Sequence, residues 1–247
     1  MTRFLHLTPD AVRGDRVTFP AAAAHHLGRV LRAAVGDVVQ AVDGAGSLLS
    51  VRLTAVAARA AEGVIVGREP VATESPLDLT LAQGVPKGDK MDAIVRAATE
   101  LGVSRVIPLL TARTVARPEP GRWAARLARW QRIAKEAAQL SGRGTVPEVA
   151  AARDVSTLAR EAGETGLLIC LWEGEREGLD KRLPPPPCPR VTVVVGPEGG
   201  LTTDEVRALT DAGAVVAGLG PRVLRTETAG VVAVALLQAR YGDLGTA

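Results

Sequence analysis

Two stretches in the last third of the chain decide its fold: Val191-Thr-Val-Val-Val-Gly-Pro-Glu-Gly-Gly-Leu201 and Leu219-Gly-Pro-Arg-Val-Leu-Arg-Thr-Glu-Thr-Ala229. The β-branched run from Val191 to Val195 reads as a strand buried on both faces, as in a parallel sheet flanked by helices. Gly196 stops it. Gly199 and Gly200 permit a close approach to the backbone, so a ligand can lie against main-chain amides there. Thr202 and Glu205 have the spacing of a capping box and open a helix expected to run to about Ala212 and end at Gly213. The second stretch repeats the plan. Ala214 to Leu219 reads as a short strand, Gly220-Pro221 breaks it, and a helix starts near Thr226. Val231, Val232, Val234, Leu236 and Leu237 spread round that helix, which is therefore expected to be buried on all sides, against its own sheet and a second subunit.

Neither loop fits the common nucleotide motifs. Gly196-Pro-Glu-Gly-Gly-Leu-Thr has no lysine for a phosphate-binding loop, and its glycine spacing is not GxGxxG. A Rossmann-type enzyme would also need that fingerprint early in the αβ region with an acidic residue about twenty positions on, and the arrangement is absent. The pair GPEGGL and LGPRVLRTETA instead closely resembles the RsmE family of 16S rRNA (uracil-N3) methyltransferases, which belong to the SPOUT class of knotted RNA methyltransferases. The second loop is the more specific, because no general structural need selects Arg222, Arg225, Thr226 and Glu227 within one turn.

The resemblance implies a SPOUT-type parallel α/β sheet with a C-terminal trefoil knot, preceded by a small PUA-like β-barrel. It also implies S-adenosylmethionine as cofactor, held by Leu171, Gly196, Pro197, Gly199, Gly200, Leu219, Gly220, Val223 and Leu224. Methylating a uracil N3 needs removal of an imide proton and stabilisation of charge on the carbonyl oxygens. Arg225 is the expected anion stabiliser and Glu198 the first candidate base, with Arg222 and Glu227 as their alternatives; Arg222 is also a candidate RNA contact. The implied partners are 16S rRNA within the assembled small subunit and a second copy of the chain.

At 247 residues, 47% of them hydrophobic, the chain has room for one large domain or for a medium and a small one. No apolar run approaches the ~20 residues of a membrane span. Met1-Thr-Arg-Phe-Leu-His lacks a secretory apolar region, so a soluble cytoplasmic protein is expected. The net charge of +3 says little by itself. Its distribution says more: eight basic residues lie between Arg113 and Arg143 against Glu119 and Glu136, a candidate phosphate-facing strip. With aromatics at only 2%, stacking on an aromatic platform is not the expected way of holding RNA. Cys170 and Cys188 lack CxxC spacing and a nearby histidine, so they read as buried or incidental thiols and no metal site is expected.

Residues 1–70 read as a β-rich unit. Arg16 to Phe19, Val38 to Val42, Leu48 to Leu53 and Val64 to Val66 are strands, and Asp43-Gly44 is a hairpin turn. Between them, His25-His26-Leu-Gly-Arg-Val-Leu-Arg32 reads as a short helix with one histidine inward, and this segment resembles the family's PUA-like module. His26, Arg29 and Arg32 are its candidate RNA contacts.

A linker at 71–76 leads to a second domain at 77–247. There Leu77, Leu79 and Leu81 alternate along a strand, and a helix capped by Asp89 carries Met91, Ile94, Val95, Ala98 and Leu101 on one face. Val103 to Leu109 follows as a strand, and the βαβ order implies a parallel sheet. Lys87 and Lys90 lie where the family's lysines approach RNA. A long helix from about Arg122 to Leu140 lines up Trp123, Leu127, Trp130, Ala134 and Ala137 as core. After it, Arg143 matches the family's Ser-Gly-Arg and is a further candidate RNA contact. Gln139-Leu140 departs from the family, which has Glu-Gln there. Gly166 to Trp172 is another buried strand, ending in Leu171-Trp-Glu173 where the resemblance places the first edge of the cofactor pocket, and Pro184 to Pro189 is an extended connection.

Overall fold

The computed structural model describes residues 4–44, 46–57, 59–115, 120–162 and 166–245, and Arg117 and Glu119 of the basic strip, like the first three residues of the chain, lie outside them. The chain forms two compact units, one of residues up to Glu74 together with Ala138–Val146, the other of Ser75–Ala137 and Pro147 onward.

The first unit contains β1 (Leu5–His6), β2 (Val12–Arg13), β3 (Arg16–Phe19), α1 (Ala21–His25), β4 (Val38–Val42), β5 (Ser47–Val56) and β6 (Ala61–Pro70). These strands form one six-stranded sheet in the order β1-β4-β5-β6-β3-β2. Only the β1–β4 pair is parallel. Leu49, Val51 and Leu53 alternate inward along β5 and pack with Val17, Phe19 and Leu27 into one core. The turn after β4 is a hairpin: Asp43 accepts a hydrogen bond from the Ser47 amide at 3.0 Å.

The helical segment corrects one expectation. Past α1 the chain continues as a π-helical turn, His26–Val30, and the inward positions are Ala24 and Leu27, while His25 is exposed and His26 half-buried. Arg32 lies beyond the helix in a left-handed conformation (φ 51°), so it does not share a helical face with Arg29. Within the same unit Glu74 is an acceptor hub, taking hydrogen bonds from the Arg143 guanidinium at 2.8 Å, the Gly144 amide at 2.8 Å and the Thr145 hydroxyl at 2.6 Å.

The second unit contains β7 (Asp78–Gly84), α2 (Lys90–Glu100), β8 (Arg105–Leu110), α3 (Pro120–Ser141, whose last turn belongs to the first unit), β9 (Glu148–Val149), β10 (Arg153–Asp154), α4 (Val155–Ala162), β11 (Leu167–Leu171), α5 (Leu179–Arg182), β12 (Arg190–Val195), α6 (Thr203–Asp211), β13 (Val215–Ala217) and α7 (Thr226–Tyr241). Its sheet is parallel throughout, in the order β10-β8-β7-β12-β11-β13 with β9 also on β8. β12 is central and sealed on both sides. Val191, Val193 and Val195 enter the core shared with α2, α3 and α7, while Val194 enters the one shared with α4 and α6. Trp130 is buried and meets Trp123 edge to face at 5.7 Å, the core role expected of both. No helix among the described residues is long and apolar enough to cross a membrane.

Two helix expectations need adjustment. Asp89 occupies the cap position of α2 but makes no side-chain cap bond. α7 is not buried all round: Ala233, Val234 and Leu237 enter the core, whereas Leu236 is 48% exposed and Val231 and Val232 are half-buried. The capping box of α6 is present, with the Glu205 amide donating to Thr202 Oγ1 at 3.3 Å and the Thr202 amide to Glu205 Oε2 at 2.8 Å.

Candidate active site

Three loops at the carboxyl ends of β11, β12 and β13 enclose a cleft of about 950 Å³, in the range of small-molecule sites and at the strand ends where ligands of open α/β sheets bind. Leu171, Gly196, Pro197, Gly199, Gly200, Leu219, Gly220, Val223 and Leu224 all line it, as do Glu198, Arg222, Arg225 and Lys90. Lys87 is exposed just before α2, and its amide reaches Glu198. His26, Arg29, Arg32 and Arg143 belong to the other unit. Arg143 is only 5% exposed and its guanidinium holds Glu74, so the structure places it as a brace of that segment and not as an RNA-facing cation.

Glycine makes the walls thin. The loop after β12 turns at Gly200 (φ 70°), whose amide donates to the Pro197 carbonyl at 2.8 Å, and a Cβ there would collide with the Glu173 carboxylate. On the facing loop, Gly218 exchanges backbone hydrogen bonds with the 177–179 segment at 2.8 Å, and a Cβ would strike the Glu175 carbonyl. The Arg113 guanidinium braces the first loop from outside by donating to the Gly199 carbonyl at 2.5 Å.

The start of α7 is fixed to the same loop. Thr226 is 6% exposed; its hydroxyl donates to the Gly196 carbonyl at 2.6 Å and accepts from the side-chain amide of the fully buried Gln83 at 2.9 Å. Arg225 caps α7 with its backbone, and its side chain is exposed at the cleft.

Part of the charge in the cleft is paired. Lys90 Nζ lies 3.0 Å from Glu198 Oε1 and 3.4 Å from Glu227 Oε2. Partial burial pushes the Glu198 carboxyl up, but hydrogen bonds from Lys90, its own amide and the Lys87 amide outweigh this and hold it below the ordinary carboxylate value. The hydrogen bond to Glu198 raises the Lys90 ammonium in turn. Glu227 is therefore held by Lys90, and no ion pair joins it to Arg225 among the described residues. Below the cleft, Cys170 is buried, and burial first, then the charges of Glu173 and Glu205, push its thiol up to about 12.

Of the loop after β11, the sequence reading reached the Leu171-Trp-Glu173 edge, and all three residues line the cleft; it did not reach Glu175 and Arg176, which line it too and follow Gly174. Sequence reasoning also missed Gln83, whose signal is an amide at the inner end of β7, past the apolar Leu81 and Ala82.

A parallel sheet whose strand ends carry a glycine-walled cleft rimmed by arginines is the site of an α/β enzyme, and its class is that of the RNA methyltransferases: residues 73–238 match the RNA methyltransferase domain model, with residues 19–66 matching the RNA methyltransferase PUA domain model. Ribosomal RNA small subunit methyltransferase E of Synechocystis is 35% identical over 238 residues, covering 95% of this chain and 77% of that protein. Its Bacillus subtilis counterpart is 31% identical over 242 residues, covering 95% and 94%. The crystal structure of the Neisseria gonorrhoeae protein of the same name, bound to S-adenosyl methionine, superposes with a TM-score of 0.87 at 32% identity, over 98% of this chain and 99% of that one. The chain belongs to the ribosomal RNA small subunit methyltransferase E family.

Proposed function

We propose that this protein transfers a methyl group from S-adenosylmethionine to N3 of a uridine in 16S rRNA, acting in the cytoplasm on the assembled small subunit. The observation that carries this reading is the glycine-walled cleft with an uncommitted Arg225 at its edge. The cleft is lined by Leu171, Val195, Leu219 and Leu224 together with the backbone of Gly196 to Gly200, apolar and main-chain surfaces that suit a flat base and a thioether chain. When bound, the cofactor supplies an electrophilic methyl.

The chain's own residues do the rest. Arg225, with Arg222 beside it, stabilises the uracil anion as charge builds on its carbonyl oxygens. Glu198 accepts the imide proton only once Lys90 releases it, since its basicity is reduced while that ammonium is in place. The unit at 1–70 grips RNA through His26, Arg29 and Arg32, the linker is 71–76, and 77–247 is the methyltransferase domain. The knot of the SPOUT class forms where the 219–225 loop threads past the 196–200 loop. Two copies meet on the outward stripe of α7 and complete each other's site.

Incubating the full-length protein with small subunits from a strain lacking the activity, then digesting the 16S rRNA for nucleoside mass spectrometry, tests this. One 3-methyluridine per subunit, dependent on S-adenosylmethionine, is expected. Methylation at another atom, or none, overturns it.

A further inference from the structure

The cleft contains one carboxylate with no counter-ion. Of its four acidic residues, Glu198 and Glu227 share Lys90, and Glu175 is 3.3 Å from the Arg182 guanidinium. Glu173 has neither hydrogen bond nor ion pair among the described residues, although it stands in the cleft wall against Gly200. Gly200 leaves room for it there, since a Cβ at 200 would collide with the carboxylate.

An anion in this position repels RNA phosphates, although the exposed Arg222 and Arg225 line the same cleft. Its complement is a cation small enough to sit between the two glycine loops. Resting on the function proposed above, we infer that Glu173 is a specificity-determining residue that reads the positive charge at the cofactor's sulfonium, favouring the methyl donor over the neutral thioether product. Methyl transfer removes that charge: the S–CH3 bond breaks, its electron pair stays on sulfur, and the carbon bonds to the acceptor nitrogen. The attraction to Glu173 therefore exists before transfer and is gone after it, which helps the product leave.

The test is isothermal calorimetry at low ionic strength, where a partly exposed charge pair is least screened. Wild type and Glu173→Gln are each titrated with S-adenosylmethionine, S-adenosylhomocysteine and sinefungin, whose amine replaces the sulfonium with another cation. The amide keeps the shape and removes the charge. Glu173→Gln is expected to weaken both cationic ligands by about fivefold, leaving S-adenosylhomocysteine within twofold of wild type. An equal loss for all three would mean that the carboxylate contacts a group common to them, such as the ribose hydroxyls or the amino-acid ammonium, and would overturn the inference. Unchanged binding of all three would overturn it too. Wild type binding none of them would remove the proposed function itself, and this inference with it. Because Glu173 has no partner to lose, the variant's melting temperature is expected to match wild type; a large drop would show a structural role instead.

Discussion

The Thr226 hydroxyl donates to the Gly196 carbonyl at 2.6 Å, so the first residue of α7 is fastened to the loop that ends β12. The same oxygen accepts from Gln83 at the end of β7, and three segments far apart in sequence meet at one hydroxyl. Thr226→Val keeps the shape and removes both bonds, leaving a buried amide and a carbonyl short of partners. The variant is expected to lose about 1–3 kcal/mol of stability in urea unfolding. Cofactor affinity should fall with it, because the loop that Thr226 holds is a wall of the cleft.

Lys90 between Glu198 and Glu227 makes a pH prediction with a definite sign. The folded-state value of Glu198 is depressed, so its contribution to stability is present above the ordinary carboxylate value and lost as pH falls through the lower, folded one. Removing the ammonium with Lys90→Met leaves burial unopposed by the strongest of the lowering contacts, and the Glu198 carboxyl should titrate at higher pH. Carbon-detected NMR of the side-chain carboxyl checks this. An unmoved titration would show that the backbone amides of Glu198 and Lys87 set Glu198 without the ammonium.

Much of this site was legible in the sequence because its determinants are local. A β-branched run announces a strand buried on both faces, and Thr202 with Glu205 three residues on announces the next helix; both are found. What could not be read depends on partners distant in sequence. Arg143 looks like a surface cation until Glu74, 69 residues away, is seen to occupy it. A helix apolar on every side, such as α7, gives no clue to which side faces the sheet; Val234 and Leu237 are core, while Leu236 is the exposed one. The histidine pair failed for a smaller reason. Ala24 and Leu27, on either side of the pair, take the buried positions of the segment, and the chain passes into a π-helical turn at His26.

The Glu74–Arg143 pair should matter to stability and not to chemistry. Glu74→Gln leaves a guanidinium that is 5% exposed without its counter-charge, and breaking such a pair typically costs about 3–5 kcal/mol. Burial raises the Glu74 carboxyl, but hydrogen bonds from Arg143 and Thr145 outweigh it and the net shift is downward. The wild-type contribution is therefore complete above the ordinary carboxylate range and disappears as pH falls through the depressed value. Urea midpoints of wild type and variant, measured at neutral pH and again in acid, are expected to converge in acid.

Leu236 is 48% exposed on the side of α7 opposite Val234 and Leu237, with Val232 beside it. If this stripe joins two copies, Leu236→Glu places two charges in an apolar contact, and light scattering at micromolar concentration should show a dimer becoming a monomer. A wild-type monomer, or a variant dimer of unchanged stability, places the contact elsewhere.

Arg225 separates catalysis from architecture most sharply. Its obvious structural partner was Glu227, two residues on, but that carboxylate is held by Lys90 and the Arg225 side chain stands exposed at the cleft. Removing it should therefore cost the fold little. Arg225→Ala is expected to keep the wild-type melting temperature and nearly the wild-type cofactor affinity, while slowing single-turnover methyl transfer by on the order of a hundredfold, the loss of roughly 3 kcal/mol of transition-state stabilisation. Arg225→Lys retains the charge but not the planar fork of donors, and should recover only part of the rate. Measured at saturating small subunits, the rate reports the chemical step, so a loss that more RNA repairs would assign Arg225 to docking. A parallel fall in cofactor affinity and melting temperature would assign it to the fold, and a normal rate would remove it from the catalytic residues.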